Sequence, residues 1–138
     1  MVKEMKGKIE NSTDLDVTEI VERWRLYARN RMAAAELART RDNVPAKFEV
    51  AVHRARAAVR TEAADVLARS GSIAEAIQTM LNRVRELWQY HPCRWGGTAE
   101  QRQLFDACMI RYVRARTWQA CAQELDPTVE EIQATWDG

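Results

Sequence analysis

Arginine is the residue type best placed to do chemistry in this chain, and its distribution is uneven. Arg83, Arg85, Arg94, Arg102, Arg111, Arg114 and Arg116 lie between positions 83 and 116 against only Glu86, Glu100 and Asp106. Positions 117–138 hold Glu124, Asp126, Glu130, Glu131 and Asp137 with no Lys or Arg. Guanidinium forks engage phosphate oxygens in bidentate fashion, and such contacts position a nucleic acid without reading its bases. Arg102, Arg111, Arg114 and Arg116 are therefore the candidate DNA-binding residues. The acidic end suits docking on a basic protein surface, with Glu124, Glu130 and Glu131 as the partner-binding residues. The totals, 21 Lys and Arg against 20 Asp and Glu, leave a net charge of +1, so whole-chain charge points to neither nucleic acid nor membrane. The sign change between consecutive segments carries the information.

Other reactive groups are sparse. His91, Cys93, Cys108 and Cys121 have the donor types of a four-ligand zinc site, yet no C-x-x-C or H-x-x-x-H pair supports one. The wide, odd cysteine spacing reads as two buried thiols and one loop thiol, with no disulfide framework. No metal or cofactor is expected. The spacing of Arg85 and His91 resembles that of HEPN-type ribonucleases, in which a His acts as acid or base and an Arg stabilises phosphorane-like charge. With arginine this frequent, chance supplies such a spacing. No Gly-rich phosphate loop, paired-carboxylate metal motif or Ser/His/Asp arrangement is present, so a non-enzyme with no evident small-molecule substrate is expected. His53 reads as a helix-surface or interface residue near Glu49. Glu62 and Asp65, with Arg60 and Arg69 beside them, read as a solvated charged face.

The elements that must position these groups are all helical. Nearly half the residues are apolar, and only 5 Gly and 3 Pro interrupt the chain, which predicts a single all-α domain over 1–138. Residues 1–13 show no apolar period and read as a mobile arm. Asp16 and Glu19 open a helix with Val17, Ile20, Val21, Trp24 and Tyr27 at helical spacing, running to about Arg41. Asp42 to Pro45 turn the chain into a second helix, with Phe48, Val52, Ala55, Val59 and Val66 on one face, ending at Ser70 and Gly71. This long Ala-rich hairpin allows close axial approach and self-association into a homo-oligomer. Ser72 and Glu75 cap a third, strongly amphipathic helix from Ile73 to Trp88, expected at the centre of the core. In the loop HPCRWGGT, Trp95 either anchors the bundle or contacts a partner. Thr98 caps a fourth helix, Thr117 opens a short fifth, and Asp126 with Pro127 leads to a last helix holding Val129, Ile132 and Trp136.

The stretch RYVRARTWQACAQELDPTVEEIQ resembles the helix-turn-helix of sigma-factor region 4 and of RinA/ArpU-type phage transcriptional activators. The matching positions are Tyr112, Val113, Thr117, Trp118, Cys121, Ala122, Leu125 and Ile132, within a segment spanning 98–136. The resemblance implies a small phage or mobile-element regulator acting on transcription, with DNA or a transcription protein as partner. Two positions depart from the pattern: Asp126 and Pro127 replace the usual turn glycine, and Thr128, Glu130, Glu131, Gln133 and Thr135 give the following helix no cation for phosphates. DNA contact accordingly falls to the arginines. The alternative is a non-enzymatic adaptor or inhibitor with a dimerising hairpin and an acidic docking helix. No run approaches the roughly eighteen apolar residues of a membrane span, and the start has no signal-peptide core, so a cytoplasmic protein is expected.

Overall fold

The computed structural model describes residues 16–41, 43–88 and 99–129. They form four helices: α1 (Val17–Arg39), α2 (Val44–Arg69), α3 (Ile73–Trp88) and α4 (Ala99–Leu125). Among the described residues there is no strand, and the fold class is all-α. The proposed arm at 1–13, the loop holding Trp95 and the final helix with Ile132 and Trp136 lie outside the described residues.

Local signals set most helix ends. Asp16 accepts from the Glu19 amide at 3.2 Å and Asn43 from the Ala46 amide at 2.8 Å. Both satisfy amide donors that a helix start leaves without partners. Ser72 accepts from the Glu75 amide at 3.1 Å, while the Glu75 carboxylate reaches back to the Gly71 amide at 2.8 Å, one residue beyond the usual box. Ser70 ends α2, its hydroxyl and amide both donating to the Val66 carbonyl.

Helices α1 and α2 pack along most of their lengths, and alanines make that approach possible. Ala28, Ala35 and Ala38 on α1 and Ala46, Ala55, Ala57, Ala63 and Ala64 on α2 are all buried. The main core gathers at the open end of this hairpin. There Ile20, Val21 and Trp24 meet Val59, Ala63, Val66 and Leu67, with Ala76, Met80 and Val84 of α3 and Trp118, Cys121, Ala122 and Leu125 of α4. A smaller cluster of Ala35, Ala38 and Val50 closes the turn end.

Two sequence expectations change here. Thr117 does not open a new helix, because α4 runs unbroken for 27 residues. The Thr117 hydroxyl donates to the Val113 carbonyl at 2.8 Å, the back-bond a threonine makes inside a helix. No Gly or Pro interrupts RYVRARTWQACAQEL, so nothing forces a break. The expected end at Asp126 and Pro127 does hold. Asp126 accepts from both the amide and hydroxyl of Thr128, at 3.0 and 2.7 Å, and the Gln123 amide group donates to the Val129 carbonyl at 3.2 Å.

The second change concerns the core's centre, which is the C-terminal half of α4 rather than α3. Ala115, Thr117, Trp118, Gln119, Cys121, Ala122 and Leu125 are buried on several faces of α4, whereas α3 buries Ala76, Met80 and Val84 on one stripe. A helix with one apolar stripe covers a core from outside, and a helix dry on most sides lies within it.

Candidate anion-binding groove

Three helices each contribute a pair of residues four apart to one groove. Tyr27 and Arg31 come from α1, Arg56 and Arg60 from α2, and Tyr112 and Arg116 from α4. Side chains at that spacing stack on one helix face, so each pair points the same way. Val113, Thr117 and Ala120 complete the lining, and the cavity holds about 440 Å³, within the usual range of small-molecule sites. Four guanidinium groups and two phenols line it, with no carboxylate among the described lining residues.

The deepest arginine is Arg60, only 7% exposed. Its Nη1 donates to Glu124 Oε2 at 2.9 Å, and its guanidinium carbon lies 4.7 Å from the Tyr27 ring centre and 5.7 Å from that of Trp24. The other Glu124 oxygen accepts from the Trp24 indole N–H at 2.6 Å. One carboxylate thus ties α1, α2 and α4 together behind the groove. Arg60 Nε is buried with no hydrogen-bond partner, a condition that destabilises a protein by about 1–3 kcal/mol. Beneath this network, burial pushes the Cys121 thiol up to about 12, with Arg60 pulling it down and Glu124 pushing it further up. Cys121 is a neutral core thiol and supplies no nucleophile.

Arg31 is held by a phenol and an imidazole. Its Nε donates to the Tyr27 hydroxyl at 3.0 Å, its guanidinium lies 5.0 Å from the centre of the same ring, and its Nη1 is 3.2 Å from His53 Nδ1. His53 in turn contacts Glu49 through Nε2 at 3.4 Å, the neighbour the sequence suggested. Two guanidinium groups therefore converge on one tyrosine ring. Cation–π attraction holds them there, while their mutual repulsion favours a negative group nearby.

The sequence-predicted arginines do not share one face. Arg116 enters the groove. Arg111 and Arg114 are exposed, and about 100° per residue turns them roughly 140° and 160° away from Arg116 around α4. Arg102 lies on α4 where only the backbone is described. Glu124, expected on a partner surface, commits both oxygens within the chain, because Trp24 and Arg60 sit opposite it across the bundle. Glu130, Glu131 and Trp95 fall outside the described residues.

The charged face on α2 is also rearranged. Glu62 pairs with Arg83 of α3 at 3.0 Å and Asp65 with Arg25 of α1 at 3.0 Å, whereas Arg60 is buried rather than solvated. Cys108 and Cys121 are free and buried on one helix, thirteen positions apart. That is about 20 Å along the axis at 1.5 Å per residue, which rules out a shared metal.

The sequence places Tyr27 on the apolar face of the first helix and Arg60 on a solvated charged face, and singles out neither Arg31 nor Arg56. A signal for them exists in the repeated pattern YARNR, RAAVR and YVRAR, one basic or aromatic pair per helix. Only the packing shows that the three pairs meet. No family model, curated protein or solved structure matches the chain.

Proposed function

We propose that the protein is a small, non-catalytic regulatory protein that binds nucleic acid through phosphate groups seated in the arginine groove. The observation that carries this reading is the lining itself, with four guanidinium groups from three helices and no carboxylate among the described lining residues. Arginine forks match phosphate geometry and remain charged at any physiological pH. A role in transcription, of the phage or mobile-element kind, draws its support from the resemblance of the C-terminal third to sigma-type and RinA/ArpU-type segments. The exposed Arg111 and Arg114 offer additional phosphate contacts on a separate face.

A salt series with random-sequence single-stranded and duplex DNA tests the reading. Affinity should fall steeply as salt rises. Arg56→Ala combined with Arg116→Ala should weaken binding and reduce the logarithmic salt slope by roughly two, about one per lost phosphate contact. Arg111→Ala with Arg114→Ala should do less. Absence of binding at low salt would sink the proposal.

The second reading, an adaptor or inhibitor that associates with itself or another protein, is favoured by one observation. Leu26 and Leu37 are exposed on α1 eleven positions apart, which places them on nearly the same face with exposed Ala33 between. Light scattering in the same buffers separates the two: a dimer that ignores DNA supports the adaptor, and a monomer that binds DNA supports the groove.

A further inference from the structure

The depth and donor arrangement of the groove bear on which phosphate it takes. Its lining runs from half-buried Arg31, Arg56, Tyr112 and Arg116 to buried Arg60 and Thr117. A duplex presents its phosphates along a continuous outer surface, one charge per roughly 1.7 Å of axis. A pocket of about 440 Å³ between three helices has room for a nucleotide, not for a length of double helix. A phosphodiester carries one charge, whereas a phosphomonoester carries about 1.5 to 2 at neutral pH and presents three terminal oxygens. Guanidinium groups arriving from three helices approach such a group from several directions, and each brings up to five N–H donors.

We infer that the groove is a phosphomonoester site, built to receive the terminal phosphate of a nucleic-acid strand or of a free nucleotide. The inference rests on the phosphate reading of the groove given above. Arg60 and Arg56 of α2 take the phosphoryl oxygens from one wall and Arg116 of α4 from the other. Arg31, fixed by Tyr27 and His53, supplies charge from α1. Glu124 holds Arg60 from behind and leaves the described lining residues free of carboxylate.

The test titrates the full chain by calorimetry with four probes: one single-stranded oligonucleotide bearing a 5′-phosphate, a 3′-phosphate or only hydroxyl ends, and a 5′-mononucleotide. One phosphorylated form should bind about tenfold or more tighter than the hydroxyl form, the scale expected for one or two charge-assisted hydrogen bonds. That preference should shrink as pH drops below about 6, where the monoester takes up its second proton. Arg56→Ala should abolish the preference. Because Arg56 is half-buried and outside the core, this variant should keep the wild-type circular dichroism spectrum, and Arg56→Lys should restore part of the effect. Binding of the mononucleotide with loss of all oligonucleotide binding would keep the monoester site and overturn the nucleic-acid reading. Equal, salt-sensitive binding of all oligonucleotides, with none of the mononucleotide, would overturn the monoester site and leave the nucleic-acid reading standing.

Discussion

Glu124 stands at the junction of three helices, and its chemistry there differs from what its neighbours in sequence suggest. Within the acidic end it reads as a partner-binding carboxylate, yet its oxygens accept from Trp24 and Arg60, 100 and 64 positions away in the chain but adjacent in space. Because both bonds involve the charged carboxylate, each should be stronger than a neutral hydrogen bond, tempered by the partial exposure of Glu124. Trp24→Phe keeps the aromatic bulk and removes the indole N–H, so it should destabilise the fold by about 1 kcal/mol. Glu124→Gln should cost about as much or more, since Arg60 then loses its counter-charge. The two changes share one bond, so urea denaturation of the double variant should show less than the summed loss. Strict additivity would mean that the bond contributes nothing measurable.

At the scale of elements, alanine spacing decides how closely α1 and α2 approach. Ala35 is fully buried between them, whereas Ala33 on the same helix is exposed. Leucine at position 35 would need space that close-packed helices do not have. Ala35→Leu should lower stability by about 1–3 kcal/mol through overpacking, and Ala33→Leu should leave it nearly unchanged. Thermal melts of the two variants check this, and similar melting of both would mean that the hairpin is loosely packed. The unbroken α4 teaches a related lesson. A threonine before an aromatic residue is a fair N-cap signal, but inside a helix its hydroxyl finds an acceptor four residues back and the backbone continues.

For the whole molecule, the buried thiol links proton binding to stability. Burial holds the Cys121 thiol at about 12, above its ordinary 9.0, so between these values the folded chain keeps a proton that the unfolded chain releases. Its contribution to stability is therefore complete below about pH 9 and is lost as pH rises towards 12. The unfolding midpoint of the wild type should fall more steeply above pH 9 than that of Cys121→Ala, which lacks the group. Parallel pH profiles would show that the thiol does not contribute. The same burial should protect Cys121 from alkylation at neutral pH unless the bundle opens. Among the described residues no helix is long and apolar enough to cross a membrane.

Helix type and most helix ends were legible in the residues themselves, because caps, prolines and apolar periods act over a few positions. Asp16, Asn43, Ser72 and Asp126 each bond a backbone or side-chain group within three residues. The sequence by itself therefore determined an all-helical chain with a hairpin of close-approaching helices. Which arginines come together in one groove was decided by the tertiary structure alone. Arg31, Arg56, Arg60 and Arg116 become one site only when α1, α2 and α4 pack, while Arg111 and Arg114 turn away from it on the helix they share with Arg116. Charge runs in a sequence give no such grouping, since a helix sends successive residues in directions about 100° apart and the packing of distant segments selects which of them meet.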